Sequence, residues 1–429
     1  MSLKHTVEEI KLSNGMQGIV VNIPGVHTVY MTFSFRAGAQ YVTQDLCQVP
    51  HLIEHLAFTN PGALESQEAF SREFTKNSAS EDASTDEVHI TYEAICSLSE
   101  YERIVGLMGD VIARPTFTEK SFSVEKSTIL EELNSRLNND NRIYWQIANR
   151  MSGGSGYTDQ EKIDSLETTT VADVREFYAT SHVSDNLRFV IAGDIDARTV
   201  STQLKTWPLA RGERPSIRQD TFRTLPNPVV LQRPEYGSLD FSLSLLTPGL
   251  LDHEEDVAWA FVHHLLFQTY HSRIFGKLRS KGVCYDIGAS YMNIMNNYRE
   301  LEVYGSASSE NIEETMAVVV QEFRKLATGS ISLEDIEDVR AYIAGFQERR
   351  FEAPGDVAAY YENQYLLSGS YVKDQVILDI IKTISAETIV RYVRKWLADS
   401  AMRFGVTGNV DEAQAKKLQV IANQLKDEV

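Results

Sequence analysis

Three side chains within His51-Leu52-Ile53-Glu54-His55 can do chemistry together. At 3.6 residues per turn the two histidines fall one turn apart on one helix face, and Glu54 lies near that face. Two imidazoles so spaced can hold one zinc ion, and a carboxylate beside them can take a proton from a metal-activated water. The pattern is the inverse of the H-E-x-x-H zinc-protease signature. It is the minimum equipment for metal-assisted peptide hydrolysis. The competing reading is a solvated or half-buried polar helix face. With ten histidines in 429 residues, chance rarely supplies this pattern.

Two histidines leave a catalytic zinc site one protein ligand short. The segment Glu125-Lys-Ser-Thr-Ile-Leu-Glu-Glu-Leu133 offers acids. Glu125 and Glu132, two turns apart, share a face, while Glu131 points roughly 100° away from Glu132. One of this group can complete a His2Glu set while another orients a ligand from outside it. An acidic helix facing solvent is the plainer alternative.

His51-x-x-Glu54-His55, followed after 76 intervening residues by Glu132, with Glu125 seven residues before that, resembles the signature of the pitrilysin-type (M16) zinc metallopeptidases, the inverzincins. The resemblance implies one zinc ion per chain on His51, His55 and Glu132, with Glu54 as general base and Glu125 in support. Asp82-Ala83-Ser84-Thr85, followed by Tyr92, is similar to the family's Asn-Ala-x-Thr segment, an edge strand that pairs with the substrate backbone. Asp82 stands where Asn is usual, and a backbone contact would survive that change. Ser272 to Tyr285 is similar to a family segment whose Arg and Tyr reach the substrate carbonyl; here Arg279 and Tyr285 are six apart, one fewer than usual. An arginine and a phenol are apt donors to a developing oxyanion.

The resemblance further implies two homologous half-domains closing as a clamshell around a chamber, the LuxS/MPP-like metallohydrolase architecture. It implies a zinc endopeptidase acting on short or unfolded peptides, and a homodimer or a heterodimer with a homologous chain. Two alternatives stand beside it. The shortened Arg279–Tyr285 spacing suggests a catalytic subunit active only with a metal-free partner. A non-catalytic peptide-binding scaffold is the other.

The elements that must position these groups are legible from periodicity. Residues 18–23 and 28–35 read as strands, 49–58 as a helix, 88–95 as an alternating strand, and 101–112 and 121–137 as helices. Strands mixed with helices, without regular β-α-β alternation, indicate an α+β half-domain with a mixed sheet. The chain is also written twice. Leu187-Arg-Phe-Val-Ile-Ala-Gly-Asp194 parallels Met402-Arg-Phe-Gly-Val-Thr-Gly-Asn409, each behind an amphipathic helix. Gln48 to Phe58 aligns with Val257 to Phe267, which places Ala260 at the position of His51 and His263 at that of Glu54. The second copy keeps the helix and loses the metal motif. The expected division is 1–211, a proline- and arginine-rich linker over 212–228, and 229–429.

Bulk composition bounds the rest. A net charge of −19 argues against a nucleic-acid partner. No apolar run reaches the length of a membrane span. Three scattered cysteines with no C-x-x-C pair fit a reducing compartment, and the N-terminus shows no apolar signal region, so a cytoplasmic location is expected.

Overall fold

A computed structural model describes residues 3–59, 62, 64, 66–250, 252–284, 286–294 and 297–427. In chain order the strands are β1 (Thr6–Lys11), β2 (Gln17–Asn22), β3 (Thr28–Arg36), β4 (Ser80–Thr85), β5 (His89–Ser97), β6 (Arg188–Gly193), β7 (Val229–Gln232), β8 (Leu239–Pro248), β9 (Asp286–Ile294), β10 (Tyr298–Ala307) and β11 (Ala401–Gly408). The N-terminal half carries helices α1 (Val49–Ala57), α2 (Gln67–Phe74), α3 (Tyr101–Ala113), α4 (Glu119–Arg136), α5 (Asp140–Ser152), α6 (Asp159–Thr168), α7 (Val171–Ser181) and α8 (Ala197–Leu204). The C-terminal half carries α9 (His253–His263), α10 (Phe275–Lys281), α11 (Ile312–Ala327), α12 (Leu333–Arg350), α13 (Pro354–Ser368), α14 (Asp374–Thr383), α15 (Ala386–Asp399) and α16 (Glu412–Asn423).

The fold is α+β with two mixed sheets, each flanked by helices. One has the order β1-β2-β6-β3-β5-β4 and the other β7-β11-β8-β10-β9. Each contains a single parallel pair, β2 with β6 and β7 with β11, and is otherwise antiparallel. Aligned on that pair, the two orders match strand for strand, with β1 as the one addition. The duplication is therefore present in topology as well as in sequence.

The chain folds into two compact units that are interleaved in sequence. Unit 1 holds residues 1–138, 156–218 and 348–372, and unit 2 holds 139–155, 219–347 and 373–429. This differs from a division into 1–211 and 229–429. The physical reason is a reciprocal exchange of helices. In unit 2, α5 lies on β7 and β11, where Tyr144 and Ala148 pack with Leu225 and Val229. A Cβ at Gly405 would collide with the Tyr144 ring, so the bare backbone there lets the helix approach. In unit 1, α13 lies on β3 and β6.

Strand alternation divides the unit 1 sheet into two faces. Val29, Met31, Phe33 and Phe35 of β3 enter an apolar core with Leu52, Ile53, Leu56, Ile104, Met108, Phe189 and Ile191. Tyr30, Thr32, Ser34 and Arg36 point to the other face, the α13 side. Among the described residues no helix is long and apolar enough to cross a membrane.

Candidate metal centre

The site is built on α1. Pro50 stands in its first turn, where a missing N–H costs nothing. Val49, Leu52, Ile53 and Leu56 recur at helical spacing and are fully buried. That anchors α1 against α4, α7 and β4 and turns His51, Glu54 and His55 to the half-exposed side. Helix α4 begins with a capping box between Thr118 and Ser121 and buries Phe122, Ile129 and Leu133. The same packing turns Glu125 and Glu132 toward α1 and leaves Glu131 exposed.

Ligand atoms of His51, His55 and Glu132 lie within 4.8 Å of one another, the one such cluster of three or more His, Cys, Asp or Glu among the described residues. The rings of His51 and His55 meet edge to face, with centroids 4.8 Å apart. His51 Nδ1 is hydrogen-bonded with Gln48 Oε1 at 3.1 Å, and His55 Nδ1 with Glu125 Oε2 at 3.0 Å. Both bonds leave Nε2 free to act as ligand, the usual way in which outer groups orient metal-binding imidazoles. Glu132 divides its oxygens: Oε1 pairs with Arg136, and Oε2 lies 3.6 Å from His51 Nε2. Two imidazoles and a carboxylate are a donor set that fits zinc, although the cluster must tighten for ligand bonds of about 2.0–2.2 Å.

The electrostatics agree with that use. Burial, followed by the neighbouring His55, Arg136 and Lys162, pushes the His51 imidazolium down to about 3, so the ring is neutral over the physiological range. Burial raises the Glu54 carboxyl above the ordinary carboxylate range; the Thr85 hydroxyl and His55 oppose the rise, and Glu132 and Asp82 add to it. The Thr85 hydroxyl is buried and faces Glu54 without completing a hydrogen bond.

Residues 82–85 fall on β4, an edge of the sheet, paired with β5 and, among the described residues, with no other strand. Asp82 and Ser84 face outward, whereas Ala83 and Thr85 are half-buried toward α1. Asp82 Oδ1 accepts the N–H of Ala83 at 2.8 Å. Arg279 is exposed on α10 of unit 2, which ends at Gly282 with φ +68°. Tyr285 lies outside the described residues. Gln48, Arg136 and the Thr85 side chain are contributors that motif reasoning did not single out. The signal was present for two of them: Gln48 precedes His51 by three positions, and Arg136 follows Glu132 by four, both helical neighbours.

Comparison with known proteins agrees with this geometry. The family described as "Insulinase (Peptidase family M16)" matches residues 19–149, and "Peptidase M16 inactive domain" matches residues 168–343. The chain belongs to the M16 peptidase family. It is 20% identical over 420 residues to an "Uncharacterized zinc protease" of Rickettsia bellii, covering 93% of this chain and 97% of that protein. It is also 20% identical over 430 residues to "Mitochondrial-processing peptidase subunit beta" of Lentinula edodes, covering 93% and 89%. Among solved structures, a protease from Helicobacter pylori superposes with a TM-score of 0.79 at 16% identity, over 95% of this chain and all of that one. The periplasmic protease PqqL of Escherichia coli superposes with a TM-score of 0.79 at 14% identity, over all of this chain and 51% of that one. These likenesses establish an M16-type fold.

Proposed function

We propose that this chain is a zinc-dependent endopeptidase that cleaves short or unfolded peptides, with Glu54 as general base. The observation that carries the reading is the cluster of His51, His55 and Glu132 with Glu54 between the histidines, beside an edge strand whose outer side pairs with no other described strand. One zinc ion would be held by the two Nε2 atoms and Glu132 Oε2. Bound there, it supplies Lewis acidity that polarises a carbonyl and makes water more acidic. The chain's own groups do the rest. Glu54 takes the proton of the attacking water and passes it to the leaving amine, and a carboxyl raised by burial suits a group that must hold a proton between steps. Backbone groups of Asp82, Ala83, Ser84 and Thr85 take the peptide as an added strand. Arg279 and Tyr285 are assigned as donors to the developing oxyanion, a role that rests on the family resemblance, as does enclosure in a chamber. A cytoplasmic location fits three buried free cysteines.

The test is cleavage of a mixed unstructured peptide library, read by mass spectrometry, with Glu54→Gln in parallel. Glu54→Gln should keep one zinc per chain and lose about 10²–10⁴-fold in turnover. Full activity in that variant would overturn the assignment. A second reading, activity only with a homologous metal-free partner, is favoured by the relative titled a subunit. Gain of cleavage on adding such a chain would separate the two.

A further inference from the structure

Unit 1 carries a second concentration of charge on the sheet face that looks away from α1. Arg36 at the end of β3 stands directly across from His89, and Arg188 of β6 pairs with Ser34, so the two arginines are diagonal neighbours on one face. Arg214 reaches the same place from the segment after α8. Its Nη1 donates to the Asn186 carbonyl at 2.5 Å, while Arg36 Nη1 donates to the Pro215 carbonyl at 3.0 Å. Arg188 Nη1 donates to the carbonyls of Asp185 and Leu187 at 3.0 and 2.9 Å. Among the described residues each guanidinium thus engages backbone oxygens through Nη1 alone, with no described partner for most of its other donors.

No carboxylate among the described residues pairs with any of the three. Asp185 is held by Arg211, with both oxygens at 2.7 Å. Asp86 accepts the N–H groups of Val88 and His89. Burial together with the charges of Arg188 and Arg36 lowers the Arg214 guanidinium to about 9, while Asp185 and Glu9, whose carboxylates are engaged by Arg211 and the Tyr365 hydroxyl, act on Arg188 without forming an ion pair with it.

Ser34, Thr91 and Asn186 in this region are hydrogen-bonded, but several other buried polar atoms are unsatisfied. Arg36 Nε, Gln40 Nε2, Tyr41 Oη and both ring nitrogens of His89 have no partner, and Gln40 and His89 are 8% and 2% exposed. Buried polar groups in folded proteins are nearly always paired. Gln40 Oε1 accepts from the Arg218 N–H at 3.0 Å, so the amide end left over is its donor. An orphan set dominated by donors, next to three guanidinium groups, lacks one thing: an acceptor carrying negative charge.

We propose that Arg36, Arg188 and Arg214, with Gln40 Nε2 and Tyr41 Oη, bind a compact oxyanion, a carboxylate or phosphate group. Guanidinium forks match both groups geometrically, and charge-assisted bonds are the strong class. The ligand is either a free inorganic anion or the terminal carboxylate of a bound peptide. The site is separate from the metal cluster and does not depend on hydrolysis.

The experiment is calorimetric titration of the full chain with inorganic phosphate, against chloride at equal ionic strength. One phosphate per chain is expected, with Arg36→Gln and Arg214→Gln each weakening binding by about tenfold or more. Arg214→Lys keeps the charge, loses the fork and should also weaken binding, and circular dichroism verifies that each variant folds. A second arm compares one peptide with free and amidated C-termini in the Glu54→Gln background. Preference for the free terminus, lost in Arg214→Gln, assigns the site to the peptide end; phosphate binding without that preference assigns it to a free anion. Absence of binding beyond chloride in both arms, or equal binding by wild type and the arginine variants, overturns the proposal.

Discussion

At the scale of single residues, the outer atoms of the cluster each have a partner of their own. Glu125 holds the far nitrogen of His55, Gln48 that of His51, and Arg136 one oxygen of Glu132. Glu125→Gln should therefore weaken zinc by about 10–100-fold without abolishing binding, as read by competition with a chelator. Loss of all binding would make Glu125 a ligand instead. Glu362 on α13 is a different kind of acid. Burial, with a further push from Glu93 against the pull of the Thr32 hydroxyl, raises its carboxyl to about 7. The folded state then keeps a proton that the unfolded chain releases near pH 4.5. Its contribution to stability is complete below that pH and is lost as pH rises through 7. Glu362→Gln should raise the melting temperature more at pH 8 than at pH 5, and an equal shift at both would refute the assignment. The clustering of His51, His55 and Glu132 was legible in sequence because their types and spacing are local to α1 and α4. Choosing among Glu125, Glu131 and Glu132 needed the resemblance, since the choice depends on how α4 packs against α1. Thr85 was read for its backbone, because nothing local says that its hydroxyl faces Glu54.

At the scale of elements, the amphipathic helices and the core strands sit within a few residues of where periodicity places them. The second copy of α1 departs from its pattern. A single helix over 257–267 is expected by alignment, but α9 ends at His263 and residues 264–268 form a π-turn. Leu265, Leu266 and Phe267 are consecutive and all buried. Three neighbours at 100° steps cannot share one helix face, and the wider turn narrows that spread. At the start of α9, Glu255 is fully buried and joins Arg299, Tyr291 Oη at 2.9 Å and Trp396 Nε1 at 2.6 Å. Removing its charge leaves Arg299 buried without compensation. Glu255→Gln should cost about 3–5 kcal/mol in urea unfolding. A cost under about 1 kcal/mol would mean that the arginine finds another partner.

At the scale of the whole molecule, the duplication was readable but the exchange of α5 and α13 was not. Amphipathicity says that a face must be covered without saying by which half. The exchange makes a direct prediction. Residues 1–211 expressed alone lack α13 and should stay aggregated or partly unfolded, while co-expression with 212–429 should restore a soluble, zinc-binding pair. A well-folded 1–211 with a sharp melting transition would contradict it.

The interleaving also bears on how such a chain can change over time. Each half encodes a piece of the other's fold, so the two copies are inherited as one object even though only one carries the H-x-x-E-H motif. A deletion that removed the ligand-free copy would take the cover from the sheet beside the metal centre along with it. A proteolytic nick at residues 212–228, by contrast, severs the chain without separating its products, since each fragment still holds a helix that the other needs. Sequence drift in the ligand-free half is thus constrained by bookkeeping of backbone as much as by chemistry.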